Sequence, residues 1–241
     1  MGNLIGISTG LVYKLTNDRN SMISKLREFS PDGIELSFAK PDYLFRFKIT
    51  AENQSYLKSL KFVTIHAPWK DISYGKNEKC YKTLKAIEEL YCKINAENVV
   101  FHPEQIKDYN VFKRYNFRSS IENEDWRRKA NNVKSIGELL DKNPDIWLVF
   151  DFAHALTVSS EEIPDYINRF RHRISEIHLA MLNNDLKDHW FLHKYDCQKI
   201  RELMENLKGI DVPIVLECVA SNDGELNLIK KEIKYIKENL N

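Results

Sequence analysis

Residues 147–157 read WLVFDFAHALT. An apolar run from Trp147 to Phe150 has the length and the residue types of a β-strand, yet it finishes in an acid, Asp151, with His154 three positions further on. What those two residues serve depends on whether other strands of the chain end the same way.

Seven further runs rich in Val, Ile and Phe do recur along the sequence: NLIGIST from Asn3, GIELSF from Gly33, FVTIHAP from Phe62, NVVFHPE from Asn98, RSSIENE from Arg118, ISEIHLA from Ile174 and PIVLECV from Pro213. Between most of them the apolar spacing changes to that of a helix, as at Leu84, Ile87, Tyr91 and Ile94, or Ile229, Ile233, Ile236 and Leu240. The stretch from Asn98 to Arg118 is too short for much helix. Strand and helix in alternation imply a parallel sheet with right-handed crossovers. Eight units in 241 residues fit a closed (β/α)8 barrel spanning residues 1–241 as one domain. An open doubly wound sheet is the alternative, and its dinucleotide-binding form lacks a G-x-G-x-x-G after the first strand.

Composition narrows the function. The chain has 36 Lys and Arg against 35 Asp and Glu, so no global basic excess marks a polyanionic partner. No apolar run reaches the roughly 18 residues of a membrane span, and MGNLIGISTG is not a signal peptide, so a soluble, cytoplasmic protein is expected. The four cysteines, Cys80, Cys92, Cys197 and Cys218, form no C-x-x-C pair, which speaks against thiolate zinc and disulfide frameworks.

Side chains alternate along a strand, so residues two apart share a face. His66 goes with Thr64, His102 with Val100, Glu122 with Ser120, Asp151 with Val149, His178 with Glu176, Glu217 with Val215 and Glu35 with Ser37. Each polar residue lies at or near the C-terminal end of its strand, where a barrel gathers its mouth. His154 would point outward if its strand continued, so the strand must stop near Phe152 and turn for both residues to serve one site. Any one histidine here reads as an ordinary hydrogen-bonded core residue. The set does not, because four or more carboxylates in one partly buried bowl cannot all stay ionised without cations. Nitrogen and carboxylate donors suit Zn, Mn, Fe, Co or Ni better than Ca or Mg, and the number of ligands exceeds the need of one ion.

These residues resemble the xylose isomerase-like TIM barrel superfamily, which holds the endonuclease IV-type abasic-site endonucleases and many sugar isomerases and epimerases. Glu122 in SIENED, Asp151 in FDFAHA, His178 in EIHLA and Glu217 in VLECV match a quartet common to both branches. IHAPW and VVFHPE look like the two histidine motifs of the endonuclease branch. The resemblance implies that His66, His102 and Glu122 hold one metal and that Glu122, Asp151, His178 and Glu217 hold a second. A third would take His154 with His189, which aligns with the family histidine of a D-x-H motif. Lys187 then stands at the Asp position, with Asp185 and Asp188 as substitutes. Zn in two or three copies is the implied cofactor, with Mn, Co or Fe as alternatives. Trp69 lies where the family places an aromatic near the abasic nucleotide, a position suited to stacking. Among the basic residues following strand ends, Lys70, Lys76, Arg127, Arg128, Lys187 and Lys194 are candidates to draw a phosphate, and Glu35 shares the bowl. RFRHR, Arg169 to Arg173, precedes a strand and so belongs to the opposite face; His193 lies near the mouth but off the aligned position.

The leading expectation is therefore a metal-dependent phosphoester hydrolase acting on a phosphorylated or sugar-containing substrate, or on nucleic acid with an abasic site, with Glu122 and Glu217 as catalytic carboxylates. The alternative is a single-metal sugar or sugar-phosphate isomerase or epimerase in which Glu122 and Glu217 shuttle a proton. A barrel that binds a metabolite without turnover is the third.

Overall fold

The structure, a computed structural model, describes residues 3–182, 189–195 and 197–240. Eight parallel strands close into a barrel: β1 (Ile5–Ser8), β2 (Gly33–Ser37), β3 (Phe62–His66), β4 (Asn98–Phe101), β5 (Ser119–Glu122), β6 (Trp147–Asp151), β7 (Ile174–Leu179) and, after a short antiparallel hairpin of β8 (Met181–Leu182) and β9 (His189–Trp190), β10 (Ile214–Leu216). The barrel strands follow chain order, with β10 paired to β1 to close the ring. All eight expected strands are present; the hairpin was not foreseen.

Helices α1 (Arg19–Arg27), α2 (Pro41–Arg46), α3 (Ala51–Ser59), α4 (Glu78–Ile94), α5 (Val133–Lys142), α6 (Phe152–Val158), α7 (Glu162–Phe170), α8 (Gln198–Glu205), α9 (Asp223–Leu226) and α10 (Ile229–Leu240) occupy the connections. Between β4 and β5 the chain makes only 3-10 turns, as the shortness of that unit requires. The longest helix, α4, buries Leu84, Ile87 and Ile94; it starts on Asn77, whose side chain accepts the Cys80 N–H, and stops at Asn95 in the left-handed region. No helix of the described residues is long and apolar enough to cross a membrane.

The apolar core lies between strands and helices. Residues of one parity, such as Ile34, Leu36, Val63, Ile65, Val99 and Phe101, are buried in it. The other parity fills the barrel interior in layers. At the N-terminal end the Phe62 ring occupies the space beside Gly6 and Gly33, where a Cβ would come within 2.5 Å and 2.4 Å of it. Above it lies a polar layer: Thr64 and Asn98 donate to Glu176 at 3.0 Å and 3.1 Å, Ser120 donates to Asn98 at 2.6 Å, and Ser8 donates to Glu35 at 2.9 Å. A register shift between β6 and β7 pairs Leu148 with Ile174 and Val149 with Glu176, so Ser175 is the extra residue. Its hydroxyl joins the polar layer, 2.9 Å from Ser120. The uppermost layer is the site.

Candidate metal centre

The end of β6 shows how one strand supplies two functional groups. The strand stops at Asp151, whose Oδ1 accepts the His154 N–H at 2.6 Å and so caps α6. The helix begins at once, and this turn brings the His154 ring back towards the mouth. Its Nδ1 lies 2.8 Å from the Asn123 carbonyl. A carbonyl only accepts, so Nδ1 carries the proton and Nε2 of the neutral ring is left with a free electron pair.

Glu122, at the end of β5, is the hub. Its Oε2 lies 3.4 Å from His66 Nε2 and 3.5 Å from His102 Nε2, while its Oε1 accepts from His178 Nδ1 at 2.7 Å. His178 Nδ1 is also 3.3 Å from Glu217 Oε2, which in turn is 3.6 Å from His189 Nδ1. His102 and Glu217 stand one residue past their strands; His102 keeps an extended backbone, so the alternation carries through to it. Among the described residues five overlapping groups result, each with ligand atoms within 4.8 Å of one another: His66, His102 and Glu122; Glu122, Asp151, His178 and Glu217; Asp151, His154 and His189; His66, His178 and Glu217; and, one layer deeper, Glu35, Glu176 and His178. The first two are the sets that the sequence motifs imply; the third joins His154 and His189 to Asp151, where the motifs imply an acid near Lys187. Lys187, with Asp185 and Asp188, lies outside the described residues.

The electrostatics are those of a crowded anionic bowl. Burial opposes charge on His66, but the hydrogen bond to Glu122 and the charges of Glu35, Glu122 and Glu217 outweigh it and push its pKa up to about 9. His154 likewise rises to about 9, burial being outweighed by Asp151, Glu122, the Asn123 carbonyl and Glu217. Glu217 falls to about 2, since His178 overcomes its burial. Asp151 moves the other way: burial raises it despite His154 and His189. The imidazoles thus act as the cations that keep Glu122 and Glu217 ionised. Asp151 Oδ2 is buried with no hydrogen-bond partner. A buried acceptor left open, ringed by His nitrogens and carboxylates without thiolates, fits a divalent transition metal.

Two residues that the motifs did not single out support this centre. Glu124, 2 % exposed, sits 3.1 Å from His102 Nδ1 and turns Nε2 towards Glu122, the carboxylate–histidine arrangement that commonly stands behind a metal ligand. Asn123 takes both backbone groups of Asp151: its Nδ2 donates to the Asp151 carbonyl at 2.9 Å and its Oδ1 accepts the Asp151 N–H at 2.7 Å. Both lie in SIENED, and a second acid two residues beyond Glu122 was the available signal for Glu124.

Glu35, expected to share the bowl as a substrate contact, is fully buried beneath it. It bonds Ser8 and faces His178 Nε2 at 3.2 Å, because β2 carries it one layer deeper than the other acids. His193 is withdrawn from the mouth by a 2.6 Å bond to the buried Glu232. In RFRHR, Arg171 and Arg173 bind backbone carbonyls of Lys208 and Asn143, a structural use consistent with the opposite face.

Above the cluster opens a cavity of about 910 Å³, on which His66, Trp69, His102, His154, His189 and Glu217 all border. Trp69 lies edge-on to His66 with ring centroids 4.9 Å apart and stacks on His102 at 5.6 Å. Arg127 also borders the cavity, but its guanidinium is held by Asp125 at 2.9 Å and 2.5 Å. That volume lies in the range of small-molecule sites.

No protein-family model matches the chain, and no curated protein matches it in sequence. Solved structures do match over the full length. A D-tagatose 3-epimerase-like protein is 19% identical, with 99% of this chain and 100% of that one covered and a TM-score of 0.68. Endonuclease IV from Thermus thermophilus is 16% identical, with 98% and 99% covered and a TM-score of 0.69. A probable 3-DHS dehydratase from Bacillus anthracis is 14% identical, with 98% of each chain covered and a TM-score of 0.71. At such identities the likeness is one of fold, and it is the fold that the alternation of strands and helices implies: the chain is built as a (β/α)8 TIM barrel.

Proposed function

We propose that the protein is a metal-dependent hydrolase of phosphoesters with a multinuclear centre. The observation that carries this reading is Glu122, which turns one oxygen to His66 and His102 and the other to His178, the disposition of a carboxylate shared between two ions. His66, His102 and Glu122 would hold one ion, Glu122, Asp151, His178 and Glu217 a second, and Asp151, His154 and His189 a third. Divalent cations there, zinc by preference, would supply Lewis acidity to a phosphoryl oxygen and to water. The chain's own part is to place these groups. Glu124 orients His102, the Asn123 carbonyl fixes the tautomer of His154, and Trp69 shields one side of the cavity. Of the two catalytic carboxylates, Glu217 has a side chain 13% exposed against 1% for Glu122, so Glu217 is the one with reach to hold or pass a proton at the substrate.

Likeness to epimerases supports a second reading, proton shuttling by Glu122 and Glu217 across one ion on a sugar. That chemistry needs both carboxylates at the substrate; Glu122 and Glu217 both border the cavity, but Glu122 is buried among three histidines, which favours hydrolysis. Elemental analysis separates the two: at least two ions per chain for the hydrolase, one for the epimerase. Zinc-, manganese- and cobalt-loaded protein is then assayed on phosphomonoesters, phosphodiesters and an oligonucleotide with an abasic site. No cleavage of any of them, with solvent deuterium entering a ketose, would replace the first reading by the second.

A further inference from the structure

The cavity wall has a second chemical character on the side of β1 and β2. Arg19, the first residue of α1, borders the cavity. Its Nε–H donates to the Ser37 carbonyl at 3.1 Å, and its guanidinium lies 4.7 Å from the Phe38 ring centroid and 5.0 Å from that of Tyr43. The two rings and the carbonyl fix the fork in place. Guanidinium has five N–H donors, and one is used. Among the described residues Arg19 makes no ion pair and no other hydrogen bond. The nearest acid in sequence, Asp18, also on the cavity wall, spends Oδ2 on the Ser21 N–H at 2.8 Å and the Ser21 hydroxyl at 2.7 Å as the cap of α1.

Two more cations, Arg46 and Lys70, border the same cavity and form no ion pair among the described residues. Arg127 differs, being neutralised by Asp125. Burial withdraws hydration from the Arg19 guanidinium and lowers its pKa, so the protein bears a cost to keep an unpaired charge there. A fixed fork with two further cations on the wall of the same cavity matches a phosphate, which offers several oxygens and up to two negative charges. Ser37, whose carbonyl Arg19 binds, pairs in register with His66, so that carbonyl belongs to the strand next to the one bearing the first candidate ligand, and Arg19 and His66 border the same cavity. A small molecule spans both.

We infer that Arg19, with Arg46 and Lys70, holds a phosphate group of a small phosphorylated substrate, at a position distinct from the bond that reacts. The inference rests on the proposed function only in placing the reacting bond at the histidine and carboxylate cluster.

The test is calorimetric titration of the full chain, as purified, with inorganic phosphate, alongside Arg19→Gln, Arg19→Lys and Glu122→Gln, with metal content measured on each. The expected result is that Glu122→Gln loses metal and keeps phosphate binding, while Arg19→Gln keeps metal and binds phosphate about 10- to 100-fold more weakly, the range for a charge-assisted hydrogen bond. Arg19→Lys, which keeps the charge and the packing stem but not the fork, is expected to fall between, and it carries the test if Arg19→Gln does not fold. Wild-type affinity in both Arg19 variants overturns the inference. If phosphate binding instead disappears in Glu122→Gln alone, phosphate is a ligand of the metal centre, and the inference falls while the proposed function stands. Phosphate binding that depends on Arg19 in a wild-type protein without metal leaves the inference standing and removes the proposed function.

Discussion

Replacing Asp151 by Asn separates what this residue does for the fold from what it does for the metal. Oδ1 caps α6 through the His154 N–H, and an Asn oxygen caps as well as an Asp oxygen. Oδ2 is buried without a partner and its carboxyl is raised by burial, so in metal-free protein the charge is a cost. Asn puts a neutral Nδ2 where Oδ2 stood, and shedding the buried charge contributes about 1 kcal/mol. In a chain of this size that corresponds to a rise of about 2–4 °C in Tm. Asp151→Ala sheds the same charge but also the cap, about 1 kcal/mol, so its Tm is expected to lie about 2–4 °C below that of Asp151→Asn. With metal present the order reverses. An ion at 100 times its Kd stabilises the native chain by about 2.7 kcal/mol, and Asp151→Asn forgoes that at each centre sharing Asp151. Calorimetry in excess chelator and in excess zinc, with elemental analysis after dialysis, reads both effects. Wild-type metal content in Asp151→Asn would refute the ligand role. A metal-free Tm as low as that of Asp151→Ala would refute the separation of cap from charge.

Other outcomes follow from the same geometry. His154→Ala should lower metal content by one ion at most, because only one of the five groups contains it; a larger loss by elemental analysis would show the groups to be interdependent. Glu124→Gln should weaken metal binding about 10- to 100-fold, as expected for a carboxylate behind a ligating histidine, with little change in Tm of the metal-free chain; competition with a chromogenic chelator measures it. Trp69→Ala should raise KM more than it lowers kcat, since the ring borders the cavity without belonging to the ligand groups. For pH, His66 and His154 are raised in the fold to about 9 from 6.5. Their protonation therefore stabilises metal-free protein fully below about pH 6.5, and that contribution is lost as pH rises through 9. Metal must displace the same protons, so zinc affinity should increase from pH 6.5 to 9 with proton release, which calorimetry in buffers of different ionisation enthalpy detects; an affinity flat across that window would remove the imidazoles from the ligand set.

Much of the centre was legible because a barrel converts a period of two into position. Once Glu122, Asp151, His178 and Glu217 are known to share parity near the C-terminal ends of parallel strands, closure of the sheet brings them together whatever the loops do. The rule extends one residue past β4, where His102 keeps an extended backbone, and past β10, where the Glu217 N–H still donates to the Leu179 carbonyl. It fails where spacing is broken. The extra residue at Ser175 and the hairpin of β8 and β9 leave no mark in an apolar pattern. Glu35 obeys the parity rule but lies one layer too deep, since alternation gives the face and not the height. Arg19 was invisible for another reason: only its stacking on Phe38 and Tyr43, residues distant in sequence, sets it apart from the chain's other cations.

The side chain of Asn123 works as a brace between two strand ends. It grips the Asp151 backbone on both sides, while its own carbonyl holds His154, and its neighbour in sequence is Glu122. The gap between Glu122 and Asp151 is therefore set by an amide that touches no ion, before any ion arrives. On the proposed function, discrimination among metals by size would be a property of β5 and β6 as a rigid pair, open to retuning from Asn123 without altering a single ligand.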